Sequence, residues 1–296
     1  MIYFLVNPNS GSGKAKDAIA IVDKIMNDSG EEYSIIYTEK PGDVDRVSSL
    51  IDFGAAEVIV CVGGDGTVQE YVGLAVEHGV SFGIIPTGSA NDLLHSLPCG
   101  IRKFKTFEEK VTYYTKKVIC RETINIDAVG INGRYFLNIG GTGIDIQVLR
   151  DAMRLKKLFR GASYFIALAK NVFTYKTEEM TLYLDGKAES GRYLLLAFCN
   201  GAYYGGKIHI APPSVVNDGK LTVCIVRKMR KIKLITIFPL AKFGRHTGLK
   251  EVRFENCSEV KLEFQGKKTI NLDGNLIVME SPLMFRILKG AVNLIV

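Results

Sequence analysis

The sequence has few of the features that would mark a membrane-spanning, disulfide-bonded or zinc-binding protein. Its six cysteines are widely scattered, with no Cys-x-x-Cys pair and no adjacent histidine. Neither a zinc site nor a thioredoxin-like motif can therefore form locally, and we expect reduced, mostly buried thiols. The four histidines have no metal-ligand spacing, and we assign them no catalytic role. No apolar run approaches the roughly 18 residues that a membrane span requires.

The chain also lacks a basic leader, an internal repeat, a low-complexity tract and a Pro/Ser-rich linker. From the missing leader we expect a soluble, cytoplasmic protein. A length of 296 residues favours two domains, and 47% apolar with 23% charged residues excludes disorder, collagen and coiled coil. Lys and Arg outnumber Asp and Glu by 38 to 31, which favours phosphates, nucleic acid or an acidic membrane surface as partners.

The hydrophobic pattern changes near residue 123. Before it, strand-like runs at Ile2–Val6, Tyr33–Tyr37 and Glu57–Val62 alternate with helical spacing, which predicts a parallel α/β sheet. After it, closely spaced short strands separated by Gly, Asn and Asp predict a β-sandwich or barrel. The predicted strands are Ile124–Val129, Tyr135–Ile139, Met180–Leu184, Tyr193–Phe198, Leu221–Val226 and Val260–Phe264. We predict one inserted helix over Leu158–Tyr175, and a cleft between two closely packed domains.

Three polar, glycine-containing loops follow predicted parallel strands. In Gly63-Gly64-Asp65-Gly66-Thr67, the glycines let backbone amides approach an anion, and the helix that follows adds its favourable N-terminus. Asp65 beside a phosphate requires a bridging cation, which indicates Mg²⁺ and a nucleotide. The loops Asn7–Gly13 and Pro86–Asp92 should share the same sheet edge. The alternatives are a tight turn at the first loop and a helix N-cap at Asn91 and Asp92.

The order and spacing of these motifs resemble the diacylglycerol kinase catalytic-domain family. The resemblance rests on Asn7-Pro8-x-Ser10-Gly11, Gly63–Thr67 and Pro86-x-Gly88-Ser89-Ala90-Asn91-Asp92. The second motif is shared with NAD kinases and phosphofructokinases, whereas the third is the specific one. Further matches at Asn138–Asp145, Asn200-Gly201 and Asn217–Gly219 extend it through most of the chain.

The resemblance implies an N-terminal nucleotide-binding α/β domain over 1–122 and a β-sandwich lipid-kinase domain over 123–282, with the last strand, about 283–296, returning to the first domain. It implies ATP and Mg²⁺ as cofactors. It also implies an acidic network of Asp65, Asp92 and Asp127 near the catalytic Mg²⁺. The residues expected to bind the cofactor are Asn7, Thr38, Gly63, Gly64, Asp65, Gly66, Thr67, Glu70, Gly88, Ser89, Asn91 and Asp92.

Two Asp-Gly turns carry further expectations. By resemblance, Val215–Lys220 is a structural Mg²⁺ loop, with a carboxylate from Asp218 and backbone carbonyls from Val215 and Lys220. The alternative interpretation of this loop is a plain hairpin turn. Near the C-terminus the family pattern is Asp-Gly-Glu, whose Glu is the proposed base, but this chain has Asp273-Gly274-Asn275. Asn cannot accept a proton, so we predict a slow enzyme unless Asp273 takes over.

We therefore expect a lipid kinase that transfers the γ-phosphate of ATP to a membrane lipid, with diacylglycerol as the leading acceptor and phosphatidic acid as the product. The alternatives are an NAD kinase and, because of Asn275, a non-catalytic nucleotide- or lipid-binding regulator. Basic clusters over Arg150–Arg160 and Arg227–Lys233, with Lys242, Arg245 and His246, are either solvated faces or a docking surface for transient contact with an anionic membrane. We expect no nucleic acid partner, and a homodimer is possible.

Overall fold

Fifteen strands are hydrogen-bonded into one mixed sheet across the part of the chain that the structure describes. The structure is a computed structural model, and it describes residues 1–100, 102–155, 166–167, 170–171 and 174–296. Most of the helix predicted over Leu158–Tyr175 lies outside these residues. None of the described helices is long and apolar enough to cross a membrane.

The N-terminal part is a parallel α/β sheet in the order β4-β3-β1-β2. Its elements are β1 Ile2–Val6, α1 Lys14–Ser29, β2 Tyr33–Tyr37, α2 Val44–Ser49, β3 Val58–Gly63, α3 Asp65–His78, β4 Ser81–Pro86, α4 Asp92–Ser96 and α5 Phe107–Cys120. The register sets Val62 beside both Val6 and Ile85, so the strands end at the same sheet edge. Every residue of β1 and β3 is buried, as the apolar runs predicted, because helices cover both faces.

The C-terminal part is mainly antiparallel. Its elements are β5 Thr123–Ile131, β6 Arg134–Phe136, β7 Ile139–Gly143, α6 Ile144–Leu155, β8 Glu178–Leu184, β9 Lys187–Cys199, β10 Leu221–Arg227, α7 Lys231–Lys242, β11 Val252–Cys257, β12 Glu259–Glu263, β13 Lys267–Leu272, β14 Asn275–Glu280 and β15 Leu283–Ile295. Alternating inward side chains form the core, in which the rings of Phe198 and Phe285 stack with their centroids 3.9 Å apart. The predicted fold class, an α/β domain with a β-sandwich, is confirmed.

Strand β15 joins the two parts. Phe285 lies opposite Val260 of β12, while Leu294 lies beside Phe82 of β4. Between them the register against β5 shifts, and Gly290 has a φ of 61°. The same strand therefore closes the sandwich and extends the parallel sheet.

Two details of the sequence interpretation are corrected. The strand expected over Tyr135–Ile139 is two strands, because the amides of residues 137–139 turn away to bind the Asp273 carboxylate. His246 is buried, so it cannot be part of a charged surface. Of the six free cysteines, Cys61, Cys199, Cys224 and Cys257 are buried and Cys99 and Cys120 are exposed.

Candidate active site

A cavity of about 1420 Å³ lies where the parallel strands end against the sandwich. It has a wall from each part of the molecule: the N-terminal loops form one, and β7, α6 and the β13–β14 hairpin form the other. The predicted site residues that line it are Asn7, Gly64, Asp65, Gly66, Thr67, Glu70, Gly88, Ser89, Asp92, Asp273 and Asn275. The structure therefore brings together eleven of the residues selected from sequence.

The loops after β3 and β4 touch through their glycines. A Cβ on Gly88 would lie 2.5 Å from the Gly64 Cα, and one on Gly63 would lie 2.5 Å from the Thr67 side chain. The amides of Thr87 and Gly88 both donate to the Gly63 carbonyl, at 2.9 and 3.2 Å. Gly63 itself is not among the lining residues; its lack of a side chain leaves room for Thr67, while Gly64 and Gly88 let the two loops approach.

The loop after β1 completes this wall. Asn7 Nδ2 donates to Thr67 Oγ1 at 3.3 Å, and Thr87 Oγ1 donates to Ser10 Oγ at 3.1 Å. Gly11 has a φ of 62°, and a Cβ there would overlap the Thr87 carbonyl oxygen. The three loops thus share one crevice, as expected from parallel strands that end at one edge.

Asp65 is held by the next loop along the sheet. Its two carboxylate oxygens accept hydrogen bonds from the amides of Asn91 and Asp92, at 2.8 and 2.7 Å. Burial, and next the neighbouring Asp92 charge, raise the pKa of Asp65 to about 6. The Leu93 amide also lowers the pKa of Asp65, and because Asp65 lines the cavity its carboxylate can still offer a lone pair to a cation.

Asp92 connects the two walls. Its carboxylate accepts the amides of Gly206 and Lys207, at 3.0 and 2.9 Å, in a loop of the C-terminal part. Asn91 does not line the cavity; it adopts a φ of 51° and its Nδ2 donates to the Gly88 carbonyl at 2.9 Å. In place of a conventional N-cap, both residues present amides to Asp65.

Glu70 anchors the loop after β2 to helix α3. Its carboxylate accepts the amides of Gly42 and Asp43. Asp43 in turn accepts from Arg46, whose guanidinium holds the pKa of Asp43 below its usual range. Thr38 is almost fully buried at the end of β2, where its amide donates to Val6, and it does not line the cavity.

Asp273 lies in the β13–β14 turn with a φ of 46°. Its oxygens accept four hydrogen bonds of 2.7–3.2 Å from the three consecutive amides of Leu137, Asn138 and Ile139. Burial raises the pKa of Asp273 to about 7, against the lowering effect of those amides. Every strong acceptor position is occupied, so this carboxylate holds the turn in place and is poorly placed to serve as a base.

Asn275 points away from Asp273, toward helix α3. Its Nδ2 donates to the Gly66 carbonyl at 3.0 Å and to Gln69 Oε1 at 2.6 Å, and Gln69 Nε2 donates to the Tyr135 carbonyl at 3.1 Å. The amide orientation follows from this chain of donors and acceptors. The Oδ1 atom is then the part of Asn275 left to accept a hydrogen bond in the cavity.

Asp127 binds a different set of groups from Asp65 and Asp92. Its carboxylate accepts the amides of Gly219 and Gly290, at 2.6 and 2.7 Å, and it does not line the cavity. The network expected from Asp65, Asp92 and Asp127 is therefore divided between two places. Asp127 instead anchors the Val215–Lys220 loop to the register shift in β15.

The residues of the Val215–Lys220 loop also lie outside the cavity lining. Asp218 Oδ1 accepts the Lys220 amide at 3.0 Å, as in a turn, and Val215 is exposed. Within the described ranges, no three His, Cys, Asp or Glu residues cluster to hold a metal. A site with one carboxylate, backbone carbonyls and water fits Asp218, and one shared with phosphate oxygens fits Asp65.

Sequence reasoning missed a part of the C-terminal wall that comes from helix α6. Asp145, Leu149 and Ala152 line the cavity from one face of that helix. In sequence these residues are four and three positions apart, a helical spacing that predicts a shared face. Which side of the helix faces the cavity, however, depends on how α6 follows β7. Pro41 and Gly42 were also missed, although a Pro-Gly pair commonly marks a functional turn.

Family comparisons agree with this geometry. Residues 1–129 match the diacylglycerol kinase catalytic domain, and residues 139–296 match the YegS C-terminal NAD kinase beta sandwich-like domain. The chain belongs to the family of the YegS C-terminal domain, whose match alone covers more than half of it, and its N-terminal part is matched by the diacylglycerol kinase catalytic domain. Family membership supports a kinase of the lipid kinase type and confirms the family expected from the motifs.

Individual relatives cover nearly the whole chain. A diacylglycerol kinase from Bacillus subtilis (strain 168) is 28% identical over 91% of this chain and 88% of its own length. One from Staphylococcus carnosus (strain TM300) is also 28% identical, over 91% of this chain and 87% of its own. The crystal structure of a diacylglycerol kinase from Bacillus anthracis str. Sterne superposes with a TM-score of 0.77 at 21% identity, covering 99% of this chain and 96% of that one.

Proposed function

We propose that this protein transfers the γ-phosphate of ATP to the hydroxyl of a membrane lipid, with diacylglycerol as acceptor and phosphatidic acid as product. The observation that carries the proposal is the difference between the two cavity walls. One wall has glycine amides, Asp65 and the start of helix α3; the other has the apolar side chains of Leu149, Ala152, Leu276 and Ile277. Such a cavity suits an anionic donor beside an amphipathic acceptor.

On the N-terminal wall, the chain supplies amides and one carboxylate. The close contact of Gly64 with Gly88 leaves backbone N–H groups free of side chains for phosphate oxygens. Helix α3 begins at Asp65 and adds the favourable field of its N-terminus. A bound Mg²⁺ would neutralise charge on the transferred phosphoryl group. Asp65 is the residue that would hold it, because its lone pairs face the cavity.

On the C-terminal wall, Asn275 orients the acceptor. Its Oδ1 can accept a hydrogen bond from the lipid hydroxyl, but an amide cannot take the proton. The hydroxyl oxygen bonds to the γ-phosphorus as the bond between that phosphorus and the oxygen bridging to ADP breaks, and the hydroxyl proton passes to an oxygen of the transferred phosphate or to water. Phosphoryl transfer depends mainly on positioning and charge neutralisation, so a slow reaction remains possible without a base at Asn275.

The test is a radiolabelled ATP assay with a panel of acceptors in mixed micelles. The panel contains diacylglycerol, monoacylglycerol, sphingosine, ceramide and NAD. We expect label in phosphatidic acid and none in NADP. Label in NADP alone would identify an NAD kinase and overturn the proposal, and label only in a sphingoid product would change the acceptor class.

A non-catalytic nucleotide- or lipid-binding regulator is the second candidate. The specific observation in its favour is that Asn275 replaces the expected base while the amides of residues 137–139 occupy Asp273. Equilibrium binding of Mg-ATP with no turnover on any lipid of the panel would support this function instead.

We further propose a transient contact with an anionic membrane surface. Exposed cations lie at the end of β10, in the segment before α7, and at the end of α7 or just beyond it, where Lys242 Nζ stands 5.9 Å from the ring centre of Phe243, a residue that is 67% exposed. These cations are Arg227, Lys228, Arg230, Lys242 and Arg245. Each basic residue near such a surface contributes about 1 kcal/mol. Co-sedimentation with phosphatidylglycerol vesicles, but not with phosphatidylcholine vesicles, is the expected result; equal sedimentation with both would contradict it.

A further inference from the structure

Asp145 is a buried acid in the cavity that the mechanism above does not use. It lies at the start of helix α6, its residue is only 5% exposed, and it belongs to the cavity lining. Its Oδ1 has no hydrogen-bond partner among the described residues. Oδ2 lies over Gly141, where a Cβ would stand 3.5 Å away. A buried carboxyl oxygen without a partner is rare, and at a cavity wall it points to a ligand.

The acidity of Asp145 follows from its surroundings. Burial raises the pKa of Asp145 to about 7, and only the amides of Asp145 and Ile146 oppose this effect. Tyr175 is a titratable neighbour, since the Asp145 charge is among the causes that raise the pKa of that phenol. At and below neutral pH Asp145 therefore has a large neutral fraction and can donate a proton in a hydrogen bond.

The charged groups on the neighbouring elements are engaged elsewhere. On α6 itself, Arg150 donates to Thr269 Oγ1 at 2.7 Å. On β13, Lys268 pairs with Glu178, and Asp273 at the end of that strand binds the amides described above. On β9, the Tyr193 hydroxyl donates to the Glu189 carbonyl. Strand β7 carries no ionisable side chain. No described cation is therefore among the causes that set the charge of Asp145.

The face of helix α6 changes from polar to apolar along its axis. Leu149 and Ala152 follow Asp145 at positions i+4 and i+7, and all three line the cavity. At 1.5 Å per residue they lie about 6 and 10 Å beyond Asp145. Leu276 and Ile277 of β14 line the same cavity. This order, one hydrogen-bonding atom followed by an apolar surface, matches a carbonyl group at the head of an acyl chain.

We propose that the Asp145 carboxylic acid donates a hydrogen bond to an ester carbonyl of the acceptor lipid and thereby selects diester glycerolipids. The inference rests on the proposed function and specifies its acceptor. An ether lipid has no carbonyl oxygen at this place, so the buried donor would stay unpaired. An unpaired buried donor costs about 1–3 kcal/mol, which corresponds to a preference of roughly five- to 150-fold.

The experiment compares short-chain 1,2-dioctanoylglycerol with its diether analogue 1,2-dioctylglycerol. At saturating Mg-ATP, kcat/KM for the ester should exceed that for the ether by about tenfold or more in the unchanged protein. Asp145→Ala should reduce the ratio to near one. Asp145→Asn keeps an N–H donor and should retain most of the preference. Leu149→Ala is the matched control, because it should weaken both lipids alike.

A pH series separates donation from packing. Above about pH 7 the ester preference should fall in the unchanged protein, since the acid loses its proton, but it should stay constant in Asp145→Asn. An ester-to-ether ratio unchanged in Asp145→Ala would overturn the proposal. A stronger preference for the ester at high pH would also overturn it, because the ionised Asp145 carboxylate can accept a hydrogen bond but cannot donate one.

Calorimetric titration of both lipids, without ATP turnover, distinguishes the two proposals. If the protein phosphorylates neither lipid but binds the ester preferentially, and Asp145→Ala loses that preference, the kinase proposal fails and the role of Asp145 stands. If the protein phosphorylates both lipids without any ester preference, the kinase proposal stands and the role of Asp145 fails. Binding of neither lipid would overturn the role of Asp145.

Discussion

Asp65 and Asp273 lie on opposite walls of the cavity, and of these two carboxylates Asp65 has the more acceptor capacity left. Asp65 accepts one short hydrogen bond at each oxygen, with the Leu93 amide as a further influence on its pKa, whereas the Asp273 oxygens take four hydrogen bonds from three amides, one of which they share. Burial raises the pKa of both carboxyls, to about 6 for Asp65 and about 7 for Asp273. A raised pKa alone therefore does not identify a reactive carboxylate; the number of free lone pairs does.

The comparison predicts its largest effect at Asp65. Asp65→Asn keeps one amide acceptor and most of the side-chain volume, so the fold should survive. Loss of the cation-holding carboxylate should lower kcat/KM by at least about 10³-fold. Turnover measured together with thermal melting checks both statements. A variant that melts normally and turns over normally would remove Asp65 from the site.

Asp65→Asn should lower turnover and leave the fold intact, whereas Asp273→Ala should mainly lower stability. It leaves the amides of residues 137–139 buried without a partner, so we expect the free energy of unfolding to fall by about 3 kcal/mol. Denaturant unfolding measures the change directly. A stable Asp273→Ala protein with abolished turnover would contradict the structural role and make Asp273 the base.

The substitution Asn275→Glu tests whether the C-terminal wall can acquire a base. We expect turnover to rise about tenfold with little change in ATP affinity. We also expect stability to fall by about 1 kcal/mol, because the Gly66 carbonyl loses its donor. Asn275→Gln is the control, since it lengthens the side chain without adding a base. If turnover rises equally in both variants, the gain comes from the longer side chain and not from an added base.

A pH titration of the unchanged protein tests the role of Asp65 in the N-terminal wall. Below about pH 6 the carboxyl binds a proton and becomes neutral, so the apparent Kd for Mg-ATP should rise about tenfold per pH unit. The nucleotide also titrates, and Asp65→Asn supplies the background to subtract. Identical pH profiles in both proteins would rule out Asp65 as the titrating group.

The smallest effect is expected at the other Asp-Gly turn. In the absence of Mg²⁺, Asp218→Ala should change stability by less than about 1 kcal/mol, because Asp218 only accepts the Lys220 amide. If the loop holds a structural metal, millimolar Mg²⁺ should raise the Tm of the unchanged protein but not of the variant. Equal Mg²⁺ responses would leave the loop as a plain turn.

Most of the N-terminal wall was predictable because the loops after β1, β3 and β4 each follow a buried parallel strand, and such strands end at one edge. The C-terminal wall was less predictable. The function of Asp273 depends on a left-handed turn and on an amide 136 residues away in sequence. Asp127 was misplaced for the same reason, since a glycine in the register shift of β15 binds it. Neither contact leaves a local pattern.

Strand β15 has a consequence for synthesis as well as for stability. It is made after every other strand of the described fold, yet it covers the edge of β4 in the N-terminal part. Until it emerges, β4, β5 and β12 lack a neighbouring strand, and exposed strand edges invite pairing with other chains. A nascent chain that has completed all its glycine loops therefore still lacks the strand that joins the two parts of the fold.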